Sequence, residues 1–289
     1  MVFDSFDQFL KQPGSVLGKG PIALIFLEDD VEVASTLRHH ISLGFQQVLA
    51  IGAPGIAIDP ALLDQVTRIS EVITKPGLRE EIINKLIAAA PGVWFYYCFN
   101  AEYLFFPFCE TRSIGEMLTF HTEERREAML SYVIDLYAED LAACPNAVSV
   151  TAPFLDKSGY YAIGREDAEN DWAPKDRQHD FFGGLKWRFE EHVPQKQRRI
   201  DRIAIFKSKP GLKMLPGHLF NDEEYNTYAC PWHHNLTAAI CSFRTAKALR
   251  RNPRSRHEIG SFKWHNSVQF EWSSMQLMNL GLMEPGQWF

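Results

Sequence analysis

The stretch PIALIFLEDDVEVASTLRHHISLGFQQVLAIGAPG, residues 21–55, decides the fold class. Pro21 to Leu27 is a continuous apolar run behind a Gly/Pro loop, the pattern of a strand buried on both faces. Glu28-Asp29-Asp30 follows at once, and residues 31–43 then carry helical spacing that Gly44 stops. Gln47 to Ile51 is apolar again and ends at Gly52-Ala53-Pro54-Gly55. Strand, helix, strand in this order is a βαβ unit, and such units build parallel sheets.

The pattern continues outward. Residues 60–69 read as a second helix, 70–73 as a short strand, 78–90 as a third helix closed by Pro91-Gly92, and 94–98 as a central strand. This order predicts a doubly wound, mostly parallel α/β sheet flanked by helices. Past Pro107 the character changes. Residues 113–141 read as largely helical, opening on a Ser113/Glu116 capping box. Residues 148–152 and 200–206 read as strands, the latter with Asp201 and Arg202 breaking its polarity pattern. Residues 164–178 read as a charged, solvated loop; 236–251 as a helix with a basic end; and 270–280 as a last helix.

The totals exclude several classes. A net charge of -6 argues against nucleic-acid binding, which needs a positive field. Aromatic residues make up 13% of the chain, which suits stacking on sugars as well as a plain aromatic core. The five cysteines are odd in number and none is in CxxC spacing, so neither a disulfide framework nor a zinc site is expected. The acidic start, Met1-Val-Phe-Asp-Ser-Phe-Asp7, does not read as a signal peptide, and no apolar run is long enough to span a membrane. A cytoplasmic location is the expectation, because reduced cysteines fit it. GxSxG, P-loop and GxGxxG motifs are missing from the sequence.

A second stretch, WFYYCFNAEYLFFP at 94–107, climbs as an apolar strand into the polar step Asn100-Ala101-Glu102 and turns apolar again. Together with His39-His40, Leu43-Gly44-Phe45 and Val48, it resembles the family-2-like glycosyltransferases of GT-A fold. In these a helix carries the histidine pair, and a strand later ends in an acidic step followed by proline. Trp94, Glu102, Tyr103, Leu104 and Pro107 fall in place for that second part. Weaker matches follow at Gly183-Gly184-Leu-Lys-Trp-Arg188, Phe206-Lys-Ser-Lys-Pro210 and Pro216-Gly-His218. The resemblance implies one GT-A-like domain over residues 1–289. Residues 1–150 would be its nucleotide-sugar half, and 151–289 an acceptor-side half with a helical, irregular C-terminal elaboration.

It also implies transfer of a sugar from a nucleotide-sugar donor to a polysaccharide or other acceptor, as in polysaccharide biosynthesis. Mg²⁺ or Mn²⁺ on carboxylates would neutralise the departing diphosphate. The departures matter here. The metal-site aspartates correspond to Phe99 and Ala101, and Gly52 stands where a nucleotide-contacting Asp is usual. A shifted step offers Asn100 and Glu102, with oxygens at i and i+2 on one strand face. On this reading Glu28, Asp29 and Asp30 touch the donor, and Asn100, Glu102 and His218 hold the cation. Glu102 and His218 are the candidate catalytic groups. Lys207 and Lys209, with Lys186 and Arg188 as further choices, stabilise the leaving group.

Each residue also has a structural alternative. An aspartate before Val31 can cap a helix, Glu102 can pair with Arg112, and His39 and His40 are structural in the family it resembles. Pro231-Trp-His-His-Asn235, with His233 and His234, and Trp264-His265-Asn266 are further ring-and-imidazole clusters. Two functions follow: a glycosyltransferase, or a catalytically inactive GT-A-fold binding or scaffold protein. The donor sugar, acceptor and oligomeric state stay open.

Overall fold

The computed structural model describes residues 1–228 and 235–288. The chain divides into two units, each drawing on separated segments. The first takes Met1–Leu104, Thr111–Met129 and Ile203–Asn226; the second takes Phe105–Glu110, Leu130–Arg202 and the described residues after Asn226.

The first unit contains β1 (Val2–Phe3), α1 (Phe6–Lys11), β2 (Ile22–Leu27), α2 (Val33–Ser42), β3 (Gln47–Gly52), β4 (Thr67–Ser70), α3 (Leu78–Ala89), β5 (Trp94–Phe99) and α4 (Ile114–Glu123). Its strands lie in the order β1-β4-β3-β2-β5, each parallel to its neighbour. The strand Asp201–Lys207 adds antiparallel to β5 through Ile205, Phe206 and Lys207. All six residues of β2 are buried, as a continuous apolar run between two parallel neighbours requires.

From β2 the chain moves outward to β3 and β4, then returns past β2 to form β5. Right-handed crossovers in opposite directions place their helices on opposite faces. The side chains agree. His40 of α2 stacks on Tyr96 with ring centres 5.3 Å apart. The Arg79 guanidinium of α3 lies 5.8 Å from the centre of the Phe99 ring. Tyr96 and Phe99 have opposite parity on β5, so they face opposite sides. The sheet is therefore doubly wound, with its topological switch point between the carboxyl ends of β2 and β5.

In the second unit, Ser131–Asp135 run parallel to Ala238–Ser242. The strand Pro153–Asp156 pairs antiparallel with Tyr137–Ala138 and with Ser267–Gln269. A core of Tyr137, Leu141, Leu185, Leu249, Ile259 and Phe262 holds the helices Gly184–Arg188 and Arg244–Arg251. Among the described residues no helix is long and apolar enough to cross a membrane.

Several expectations are corrected. Residues 60–69 hold only a 3-10 turn at Pro60–Leu62, and the strand comes earlier than 70–73, at Thr67–Ser70. The β-branched Val66, Thr67 and Ile69 favour extension there. The helix from 113 ends at Glu123 behind its capping box, Arg125 turns left-handed at φ 58°, and Ala128–Asp135 is a strand. A buried apolar run reads alike as helix or strand. The same ambiguity hid the strand Ala238–Ser242 inside the span expected as the helix 236–251. No strand forms at 148–152, and the last helix is confined to Ser274–Asn279.

The charged segment 164–178 is not a loop but part of an antiparallel hairpin, Tyr161–Asp167 against Ala173–Phe182. Its charges satisfy one another: Arg165 Nε donates to Asp180 Oδ1 at 2.7 Å, and Arg165 also donates to Gln178 and to the buried Asp201. Cross-strand polar pairing, not apolar alternation, marks these strands.

Candidate functional site

The switch point gathers side chains from residues 28–31 and 99–102, which are far apart in sequence. Asn100 is fully buried. Its Oδ1 accepts from the Glu28 backbone N–H at 2.8 Å. Its Nδ2 donates to Asp29 Oδ1 at 2.6 Å and to the Val31 carbonyl at 2.8 Å. Asp29 Oδ1 also receives the Val31 N–H at 3.0 Å, closing a turn ahead of α2. The amide is thus a clamp that stitches the end of β5 to the turn after β2.

Ala101 follows with φ 60°, a left-handed conformation that costs a side-chain-bearing residue of order 1 kcal/mol. It is held there by its N–H donating to Thr36 Oγ1 at 2.8 Å. Glu102 is fully buried, and its Oε2 accepts from the Phe99 N–H at 2.9 Å. Glu28 and Asp30, just past the carboxyl end of β2, are exposed, and Asp29 is half-buried.

Phe99 is almost entirely buried, 6.0 Å from the ring of Phe26 and beneath Arg79. At Gly52 an added Cβ would lie 2.6 Å from Leu27 Cβ and 2.9 Å from the Leu27 carbonyl oxygen. The position thus has no room for a carboxylate.

His218 approaches from the loop after Met214–Leu215, also with a left-handed φ of 65°. Its Nδ1 lies 2.6 Å from Tyr97 Oη, and the two rings stack 11° from parallel. Tyr97 shares the Phe99 side of β5. Lys209 Nζ lies 2.7 Å from Asp222 and 4.5 Å from the Tyr225 ring centre. The Lys207 backbone is tied at both ends, its N–H to the Glu127 carbonyl and its C=O to the Tyr225 hydroxyl.

His39 and His40 are structural. His40 contacts the Thr36 carbonyl through Nδ1, and burial drives its pKa down to about 3. His39 bonds the Leu104 carbonyl, and burial lowers its pKa to about 4. Both rings are neutral near pH 7.

The side chains expected to hold a divalent cation have other partners in this arrangement. Such a cation needs free oxygens converging in space. The amide of Asn100 is fully engaged, Glu102 Oε2 is engaged on backbone, and His218 is bound to Tyr97. Among the described residues no group of three His, Cys, Asp or Glu side chains forms a metal site. His233 and His234 lie outside the described residues.

A second polar cluster, at positions that carry no site motif in the sequence, lies in the second unit. Asp135 ends the strand paired with Ala238–Ser242 and is 2% exposed. Its Oδ2 accepts from the Leu185 N–H at 2.9 Å. Burial raises its pKa to about 6, against the opposing pull of Lys186 and Thr245. Nearby, Asp156 accepts from Tyr137 Oη at 2.5 Å, from Arg188 Nη1 at 3.1 Å and from Trp264 Nε1 at 2.7 Å. Arg188 is committed there, while Lys186 Nζ bonds the Arg199 carbonyl at 2.8 Å. The available signals were a carboxylate closing an apolar strand, and the Gly183-Gly184 pair.

The fold is that of a mixed α/β protein, and its switch point is the position where doubly wound sheets take ligands. No model of a known protein family matches the sequence, and no curated protein matches it.

Proposed function

We propose that the chain is a GT-A-like binding module, one that keeps the glycosyltransferase type of scaffold without cation-dependent sugar transfer. The observation that carries this reading is the clamp: Asn100 spends both its amide atoms, and Glu102 one carboxylate oxygen, on holding backbone. Side chains so committed cannot also neutralise a departing diphosphate. The closed positions at Gly52 and Phe99 support the same reading, since they are where the resembled enzymes carry acidic groups. Glu28 and Asp30 are exposed past the carboxyl end of β2, and carboxylates without a cation recognise hydroxyls rather than phosphates. The ligand class is therefore a glycan or the sugar and ribose hydroxyls of a nucleotide sugar.

A second reading, metal-independent transfer, draws on the same two exposed carboxylates, one of which would act as base toward an acceptor hydroxyl. Thermal unfolding separates the readings when run with UDP-glucose, UDP-N-acetylglucosamine, GDP-mannose and oligosaccharides, each with and without Mn²⁺. A ligand present at a hundredfold its Kd stabilises the folded state by about 2.7 kcal/mol. The binding module shows ligand stabilisation that Mn²⁺ leaves unchanged and no release of nucleoside diphosphate. Stabilisation that requires Mn²⁺ defeats the proposal, and turnover without metal favours the second reading.

A further inference from the structure

Among the buried polar atoms of the second unit that lack a hydrogen-bond partner, two stand at one glycine pair. Asp135 Oδ2 is taken by the Leu185 N–H, and although the Thr245 hydroxyl acts on the carboxyl, Oδ1 has no partner within hydrogen-bond geometry among the described residues. The Tyr160 hydroxyl is likewise buried and without a partner. Leaving such a group unpaired is unfavourable.

Both side chains press on the same backbone. A Cβ on Gly183 would lie 2.2 Å from Tyr160 Cδ1, and a Cβ on Gly184 would lie 2.8 Å from Asp135 Oδ2. Only a glycine pair, with φ at 155° and 61°, allows carboxylate and phenol to close in from the two residues. Burial pushes the phenol's pKa well upward, and the Asp156 and Asp135 carboxylates push it the same way. Tyr160 as a residue is half-buried although its hydroxyl is covered, so the ring points inward from the surface. The Trp187 ring, 41% exposed, lies beside the same segment, 3.4 Å from where a Gly159 Cβ would stand.

We infer that Asp135 and Tyr160 form a binding site for one hydroxyl of a sugar-class ligand, with Trp187 as its apolar platform. A hydroxyl offers one donor and two acceptor positions, which matches a carboxylate oxygen that only accepts and a phenol that can donate. A lone water would satisfy the same atoms but needs no exposed indole beside them; a pyranose ring does. Entry requires the Tyr160 ring to swing outward. The site is built wholly from the second unit and does not depend on the switch point.

The test is calorimetric titration with four probes: methyl β-D-glucoside, methyl β-D-galactoside, methyl α-D-mannoside and methyl N-acetyl-β-D-glucosaminide. At least one is expected to bind saturably. Asp135→Asn, which retains an oxygen for the Leu185 N–H, is expected to weaken binding about tenfold, and Tyr160→Phe by a smaller factor. Binding to the unmodified protein also weakens as pH falls through about 6, as the carboxylate is protonated among Lys186, Asp156, Thr245 and the Leu185 N–H. The Asp135→Asn variant loses that dependence. Melting curves of both variants show whether they are folded. Absence of binding by all four probes, binding indifferent to both substitutions in folded variants, or a soaked crystal with water alone between the two residues overturns the inference.

Discussion

Asn100→Ala tests the clamp directly. The truncation removes three hydrogen bonds: from the Glu28 N–H at 2.8 Å, to Asp29 Oδ1 at 2.6 Å and to the Val31 carbonyl at 2.8 Å. Two are neutral and contribute about 1 kcal/mol each; the one to a carboxylate contributes roughly 1.5–3 kcal/mol. The expected loss is thus about 3–5 kcal/mol, read as a lower midpoint in urea unfolding at unchanged slope. At about 2–4 °C per kcal/mol, the melting point falls by about 6–20 °C.

Asn100→Asp sharpens the argument, because it is nearly isosteric and restores an acidic step. It replaces the N–H that Asp29 receives with a second oxygen, setting two carboxyls against one another. The introduced group therefore keeps its proton to higher pH than usual. Its folded-state pKa is raised, so the protonated form is favoured by folding. The variant approaches the parent protein at low pH and falls behind it as pH rises, by about 1.4 kcal/mol per unit of separation between folded and unfolded values. A loss under 1 kcal/mol in Asn100→Ala, or an Asn100→Asp deficit independent of pH, refutes the clamp. Asn100 would then be available for a ligand.

The other expectations are independent of the clamp. Burial holds His39 and His121 near pKa 4, against an ordinary value of 6.5, so the unfolded chain binds more protons between those limits. Stability should therefore fall as pH drops from about 6.5 toward 4, and His121→Gln should flatten that slope in urea titrations. Gly183→Ala forces a Cβ to 2.2 Å from the Tyr160 ring and should destabilise by about 2–4 kcal/mol in thermal unfolding, whereas Gly92→Ala, with open space around its Cβ, should cost only the strain of its positive φ. Lys209→Met removes a pair that is about one-third exposed on each side. It should change stability by less than about 1 kcal/mol, and by less still at high salt.

Part of the fold was legible because its signals are local. The apolar run at Ile22–Leu27, the helical spacing at Val33–Ser42 and the glycines that end it give β2, α2 and β3 within a few residues of their observed bounds. Ser113 and Glu116 form the expected box, each satisfying the other's backbone N–H. Where the signal was shared between two structures, the reading failed. Met129–Ile134 and Ala238–Cys241 are apolar enough for a buried helix, and only their pairing as parallel strands settles them. The hairpin at residues 161–182 escaped notice because its stabilising contacts are ionic and cross-strand, which periodicity does not record.

The sequence by itself determined that the chain would alternate strand and helix, and that carboxylates and an amide would stand at strand ends. These follow from hydrophobic period and from turn chemistry, which act over a few neighbouring residues. It did not determine what those polar groups do. Whether Asn100 faces a ligand or the turn at Glu28–Val31 depends on which backbone lies within about 3 Å of it, and that backbone is some seventy residues away. Likewise Asp135, at a strand end, and Tyr160, just ahead of another strand, come against Gly184 and Gly183 only through the tertiary fold. Tertiary structure alone made that choice, since a hydrogen bond is lost within an ångström and no sequence spacing fixes distance so finely.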